Sequence, residues 1–499
     1  MGSRVSSDTH SHHMSGEPCS KPRVLAVRLL IAAGVLLLAL AITAAAPNSG
    51  SGVDGGLRLE PEAFKIPAFA RMYKTGCSTC HTAAPKLNVL GEAFRLNGYR
   101  FPENDKLLRR DKPVPLGSPP WKDQWPRAIW PGELPGTVPL AVRVASDIRV
   151  REDPEDGHVV NLRFPDEIYL LAASPLGENI GVFLETEWNR DDGIEILQGK
   201  LKFQNLIPGL PKRGLNLWVG LQNLYLFTFA DRQIDRDARL KFIWQEYRVS
   251  DIELVDPIVS DSVVSDGGFS LGRTRPAIEL NGLIKGRLYY GAGVAQEIGN
   301  LTEEEFGRID GYYKLRYKFG GLGLDGRYAP GVEPVLGGGG QLLDRSLILE
   351  TFGYFGSQPV ESAVDEHRSF GFNGRGLYGP LDVGVGYVWG RNNNPWGELL
   401  EGAVPFKSLF AKAEYLFYPW LIGSLKFDTF DSDVPESVRE SGFVEGGLDA
   451  TRIMPGVVFL IRQNIRGVIE GELFTRLESQ DDQDGFNPKN IWFRLDVAF

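Results

Sequence analysis

Ile491-Trp492-Phe493-Arg494-Leu495-Asp496-Val497-Ala498-Phe499 alternates to the last residue, with Ile491, Phe493, Leu495, Val497 and Phe499 on one face. An alternation of period two is the mark of a strand with one apolar side, because successive side chains of an extended chain point to opposite faces. The same grammar holds upstream. Tyr313, Leu315, Tyr317 and Phe319 alternate with Lys314, Arg316 and Lys318, and Gly320-Gly321 then reads as a turn before Leu322, Leu324 and Tyr328, which alternate with Asp325 and Arg327. Around Pro419-Trp420, Leu409, Ala411, Ala413, Tyr415 and Phe417 alternate with Lys412 and Glu414, and Leu421, Leu425 and Phe427 with Ser424, Lys426 and Asp428. Ile469, Leu473 and Leu477 likewise oppose Glu470, Glu472 and Arg476.

A soluble β-sandwich also alternates. A transmembrane barrel is favoured by strands near the about 9–11 residues that cross lipid, by abundant Gly, Tyr, Trp and Phe, and by a polar second face suited to a lumen. The chain end resembles the C-terminal strand that the outer-membrane assembly machinery recognises. Between residues 138 and 499 we expect an antiparallel barrel of about 16 strands, with short periplasmic turns and longer outer loops. The longest interruption is 230–273, and others fall at 331–344, 392–404, 431–444 and 478–488. Asp481, Asp482 and Asp484 with Asp431, Asp433 and Glu436 are candidate ligands for hard cations, although solvated loops look the same.

Near the start of the chain Lys21, Arg23 and Arg28 precede an uncharged run from Leu29 closing on Ala44-Ala45-Ala46, which reads as a signal peptide (1–46) cleaved after Ala46. An uncleaved anchor is the alternative, since 18 apolar residues barely reach the about 20 that a helix needs to span. Cys19 precedes the run and leaves with the leader. The formal charge of −10 becomes about −12 once four basic and two acidic leader residues are removed, which argues against nucleic acid as a partner.

Residues 47–100 carry a different signal: Cys77-Ser78-Thr79-Cys80-His81. Cys-x-x-Cys-His is the attachment run of haem c, in which two thiols add to the vinyl groups and the adjacent imidazole ligates iron. A thioredoxin-like pair would belong after a strand in a βαβ unit, and a structural zinc site would need a second ligand pair nearby; neither context is present. Pro67 and Gly76 bracket one short helix, and Leu87, Leu90, Ala93 and Phe94 with Gly98 mark a second, so that two apolar faces can clasp a porphyrin. From 101 to 137, eight prolines arrive with Trp121, Trp125 and Trp130, an ordered linker rather than a domain.

Pro67-Ala68-Phe69-Ala70-Arg71, the Cys77–His81 run, Pro85-Lys86-Leu87-Asn88 and Gly91-Glu92-Ala93-Phe94 together resemble the fused cytochrome–porin family, whose best-known members are outer-membrane iron oxidases. The close match covers about 35 residues. The resemblance implies one covalent haem c on Cys77 and Cys80, with His81 as axial ligand, at the periplasmic end of the barrel or inside its lumen. It also implies single-electron transfer between an extracellular donor, Fe(II) among the candidates, and a periplasmic cytochrome. For the sixth ligand the mature chain offers Met72, His158, His367 and Met454, with Met72 closest in sequence and His158 just beyond the linker. The alternative is a solute-transport or binding barrel in which the haem segment is a plug or redox sensor, for which Lys314, Arg316, Lys318, Arg327, Lys412 and Glu470 would line the lumen.

Overall fold

The computed structural model describes residues 68–116, 121–124, 126, 132–153, 157–189, 193–228, 241–248, 269–296, 308–337, 341–360, 363–395, 402–436, 447–478 and 489–499. The leader, with Cys19 and the cleavage site, lies outside the described residues, as do Pro67, Trp125, Trp130 and Asp481 to Asp484.

Sixteen long strands close into one barrel. They are β1 (Leu140–Asp153), β2 (Gly157–Leu176), β3 (Ile180–Asn189), β4 (Gly193–Phe203), β5 (Asn216–Gln222), β6 (Arg275–Ile284), β7 (Leu288–Gln296) and β8 (Ile309–Gly320). The second half comprises β9 (Leu342–Val360), β10 (Ala363–Gly379), β11 (Leu381–Asn392), β12 (Val404–Tyr418), β13 (Leu421–Ser432), β14 (Asp449–Arg462), β15 (Ile465–Glu478) and β16 (Lys489–Ala498). Each pairs antiparallel with its neighbour in sequence, and β16 returns to β1 with Ile491 opposite Val150 and Val497 opposite Val144. Closure leaves no stave with an unpaired edge, which is what a sheet in lipid requires.

The strand faces follow the alternation. Leu315, Tyr317, Leu409, Tyr415, Leu425, Ile491 and Leu495 are exposed on the outer wall, whereas Lys314, Arg316, Lys318, Lys412, Lys426 and Glu470 are buried inside. Buried charges are tolerated when paired, and these are: Lys314 with Glu279 at 2.8 Å, Arg316 with Glu350 at 2.5 Å, Lys318 with Asp344 at 2.8 Å and Lys426 with Glu470 at 2.5 Å. Arg452 bridges Asp428 at 3.0 Å and Glu472 at 2.5 Å. An apolar outside around a charged inside is the inverse of a soluble protein, and it makes this an outer-membrane β-barrel.

The two ends differ. At one, tight turns such as 177–179, 285–287 and 463–464 join the strands, and β1 starts and β16 stops there. At the other lie most of the long connections, among them 223–274 and 433–448, whereas the interruption expected at 331–344 belongs to the connection 321–341 at the short-turn end. By the rule for such barrels the short-turn end is periplasmic.

Three expectations are corrected. Residues 322–328 are not the second strand of a hairpin: Leu322 and Leu324 are buried in a connection that turns under the barrel mouth, where Leu324 packs with Leu96 and Trp218, and β8 pairs instead with β9. Arg327 leaves the lumen with that connection and pairs with Glu103 at 2.7 Å, both half exposed. Leu477 points inward and Arg476 outward, because a register shift opposite Thr451 and Arg452 flips the faces of the last turn of β15.

Candidate functional site

The haem-motif segment sits in the short-turn mouth. Its first helix, α1 (Ala68–Tyr73), leads to a 3-10 turn at Cys77–Thr79, and His81–Ala83 then pairs with Lys86–Leu87 in a short hairpin before helix α2 (Val89–Leu96). Leu87, expected to be helical, belongs to that hairpin, opposite His81. Asn88 holds the turn and the helix together: its Oδ1 accepts from the Gly91 amide at 2.9 Å as an N-cap, and its Nδ2 donates to the carbonyls of Ser78 and Thr79 at 3.1 Å each. The Asn88 amide donates to the Cys80 carbonyl at 3.0 Å. That same carbonyl lies so close to Gly91 that a Cβ there would collide with it. Glycine at 91 is therefore what lets α2 rest on the Cys-x-x-Cys-His loop.

Polar anchors fix the segment to the wall. Lys86 is buried between Asp382 of β11 and Glu414 of β12. Arg71 donates to the Val138 and Leu140 carbonyls at the start of β1, and Arg100 to the carbonyls of Gly177 and Ile180 at the turn between β2 and β3. Lys202 of β4 reaches inward to the Arg95 carbonyl at 2.9 Å.

The fit to haem c can be read from the donor set. Cys77 and Cys80 are not bridged to each other and stand on one tight turn, with His81 next. Burial, with Cys77 beside it, pushes the Cys80 thiol up to about 12, and burial raises Cys77 too. Such thiols are protonated at neutral pH, the opposite of the depressed values that mark a disulfide-exchange pair. Cys80 packs against an apolar nest of Met72, Tyr73, Phe94, Tyr99 and Phe101, completed by Phe69, Leu90 and Phe183 of the wall. The residues present suit a covalently held, apolar macrocycle, and Cys77, Cys80 and His81 are those that would hold it.

Of the sixth-ligand candidates, only Met72 shares this nest, where it is fully buried. His158 is exposed near the start of β2, paired in register with Glu152 at the long-loop end, so nearness to the linker in sequence does not bring it to the mouth that holds Cys77. His367 lies at that same end, its ring stacked on Phe269 at 3.7 Å between centroids. Met454 faces Trp492 inside the barrel.

Sequence reasoning missed the lumen's second occupant. The described parts of the connection between β5 and β6, 223–228, 241–248 and 269–274, fold inward, bringing Phe227, Phe242, Trp244, Tyr247 and Phe269 against Phe352, Phe406, Phe410 and Phe430 of the wall. A signal was available: Phe410 has the parity of Lys412 and Glu414, so it had to face inward. Between the two occupants remains a cavity of about 80 Å³ lined by Lys86, Asn88, Glu92, Thr228, Arg316 and Arg375, a polar space with room for several waters at about 10–15 Å³ of this volume each. Of the acidic loop candidates, Asp481, Asp482 and Asp484 lie outside the described residues. Asp431 faces Lys407 at 3.4 Å, and no cluster of three metal-ligating side chains occurs among the described residues.

No protein-family model matches the chain, and no curated protein matches it. Among solved structures it is similar to the anion-selective porin from Comamonas acidovorans, at 12% identity and a TM-score of 0.47 over 72% of this chain and 98% of that one. It is also similar to the outer membrane channel DcaP of Acinetobacter baumannii, at 9% identity and a TM-score of 0.47 over 72% of this chain and 96% of that one. OmpT of Vibrio cholerae matches at 11% identity and a TM-score of 0.43, over 72% and 96%. Similarity this low carries no argument; what this chain contains is a closed antiparallel barrel of sixteen long strands, described above from its own hydrogen bonds.

Proposed function

We propose that this protein is a monohaem c-type cytochrome built into the mouth of an outer-membrane barrel, passing single electrons between an extracellular donor and a periplasmic acceptor. One observation carries the reading: the Cys77–His81 turn is seated in the barrel's short-turn mouth, ion-paired to the wall through Lys86. Bound there, haem c would supply reversible one-electron chemistry. The chain's own contribution is to exclude water with the Met72, Phe94 and Tyr99 nest, to fix the turn through Asn88 and Lys86, and to insulate the route through roughly 30 Å of hydrocarbon. Met72 is the sixth ligand we favour, and Fe(II) and a periplasmic cytochrome are the partners that the sequence resemblance suggests.

Haem staining of isolated outer membranes, with intact mass before and after Cys77→Ala and Cys80→Ala, tests the cofactor. A chain of unmodified mass that does not stain overturns the proposal. The conduit is tested in liposomes enclosing a cytochrome: a membrane-impermeant reductant outside should reduce it only when this protein is present. Replacing Met72 by Ala should change the ligand-field bands of the visible spectrum; unchanged bands assign the sixth position elsewhere.

A second reading has its own support. A charged wall and sixteen staves also suit solute passage, with the haem-motif segment as a plug. Single-channel recording separates the two, since steady ion conductance by the intact protein favours transport and a silent barrel favours the conduit.

A further inference from the structure

We infer that the cap over the haem-motif segment is a docking face for an acidic, soluble redox protein. This rests on the electron-transfer reading above and names the kind of partner. Residues 68–116 hold nine Lys or Arg against four Asp or Glu, a net +5 in a chain of −10. The rest of the protein is therefore near −15, and the positive charge is gathered where the Cys-x-x-Cys-His turn lies.

The surface itself is apolar with a cationic rim. Helix α3 (Asp105–Leu108) presents Leu107, 74% exposed, and Leu108, and the stretch after it presents Val114 and Leu116, about half exposed. Lys74, Lys106, Arg110 and Lys112 are exposed around them. The acids of residues 68–116 are engaged: Glu103 with Arg327 at 2.7 Å, Asp105 with the Tyr73 hydroxyl at 2.7 Å, Asp111 with Arg109, and Glu92 with Arg95 at 2.8 Å, while beside the face Glu133, opposite Pro115, is exposed and Glu178 pairs with Lys106. Lys74, Arg110 and Lys112 make no ion pair among the described residues. Their charge is therefore open to a visitor.

The cap lies directly on the segment. The amides of Arg110 and Asp111 donate to the Met72 carbonyl at 2.9 and 3.3 Å, so a protein resting on Leu107 and Arg110 is one chain thickness from α1. Gly76, immediately before Cys77, is exposed as well. A small apolar centre ringed by like charges is the economy of short-lived redox encounters, in which electrostatics supplies the on-rate and a small interface permits release. The occupant is soluble because the face opens at the short-turn, periplasmic end, where a diffusing protein reaches it.

One cytochrome c used in two forms tests the charge alone: native, which is basic, and succinylated, which is acidic. With the full-length protein in nanodiscs, the succinylated form should bind more tightly and exchange electrons at least about 10-fold faster at low salt, and the advantage should vanish at high salt. Changing Lys106→Glu, Arg110→Glu and Lys112→Glu together should reverse the preference while haem content and reduction by dithionite stay unchanged. Equal or better binding of the native form, or indifference to the triple change, overturns the docking face even where dithionite shows a competent haem. Charge-dependent binding of phosphatidylglycerol vesicles that exceeds binding of the succinylated protein overturns it in favour of lipid. A protein without haem would sink the electron-transfer reading separately, since the binding arm needs no haem.

Discussion

Two bodies fill the same lumen and are held by different forces. The haem-motif segment enters from the short-turn end and is fixed by directional contacts: Lys86 to Asp382 and Glu414, Arg71 and Arg100 to backbone carbonyls, and Lys202 to the Arg95 carbonyl. The connection that folds in from the other end is held mainly by ring packing, such as Phe227 on Phe352 at 4.9 Å and Phe242 on Phe410 at 4.6 Å. It adds a few polar ties, including Thr228 to Glu350 and the Ile243 amide to Asp428, both 2.7 Å. Hydrogen bonds and ion pairs dictate orientation, whereas apolar burial rewards contact in many arrangements. The lower body is thus built to keep one pose and the upper one to occupy space.

The comparison is broken most severely at Gly91. Replacing it by Val puts side-chain atoms where the Cys80 carbonyl lies, and because that neighbour is backbone the helix must move. The cost should exceed the about 1–3 kcal/mol of ordinary overpacking. The expected result is a barrel that still assembles, seen as a heat-modifiable band, with little covalent haem by mass. Normal haem content in Gly91→Val would mean that α2 does not need to rest on the attachment loop.

Next comes Lys86→Met. Removing one partner of a buried pair strands its carboxylates, at about 3–5 kcal/mol, here softened because Asp382 keeps Arg375 at 2.7 Å and Glu414 keeps Lys412. The segment should become sensitive to limited proteolysis between residues 68 and 100 while the strands stay protected. Adding Glu414→Gln should restore part of the protection, an outcome that simple loss of packing would not give.

For the upper body, Phe227→Ala should cost at most about 3 kcal/mol, the low end for a buried Phe, because the loss falls on a connection and not on a stave. It should show as raised or flickering single-channel conductance with thermal stability of the barrel unchanged. A fall in barrel melting temperature would place Phe227 in the wall's own stability and erase the distinction between the two bodies.

How far the sequence could be read follows the same division. The staves were legible because lipid outside and charge inside enforce period two over ten or more residues, as in Ile309–Gly320. The attachment motif was legible because its chemistry permits few substitutes. What was not legible depended on partners remote in sequence: Lys86 meets Asp382 and Glu414 some 300 positions away, and no local pattern announces that meeting. Residues 322–328 misled because burial under the mouth selects apolar residues at alternate positions just as a strand does. The inward aromatics Phe352, Phe406 and Phe410 are of a type that also suits a lipid-facing wall, and only parity with neighbouring charges marks them as inward.

The smallest effect belongs to the cap, where a carboxylate with convergent donors can be set against an exposed pair. Asp111 accepts from Arg109, from the Gly136 amide at 2.8 Å and from Thr137, tying the cap to the residues that lead into β1. Burial alone would raise its carboxyl, but Arg109 and the Gly136 amide outweigh it and hold the value below the usual one. A depressed folded value means the stabilisation is complete above the ordinary carboxylate pKa of about 3.9 and is lost as pH falls through the folded value. Lys106 and Glu178, 83% and 71% exposed, form a pair at 2.5 Å that is worth less than about 1 kcal/mol and is screened by salt. Hydrogen exchange over residues 105–116 should therefore be steady from neutral pH down to about 4, apart from the intrinsic rate, and protection should fall below that. Asp111→Asn should remove the acid step, and Lys106→Ala should leave it in place. A step that survives in Asp111→Asn would overturn Asp111 as the fastening of the cap.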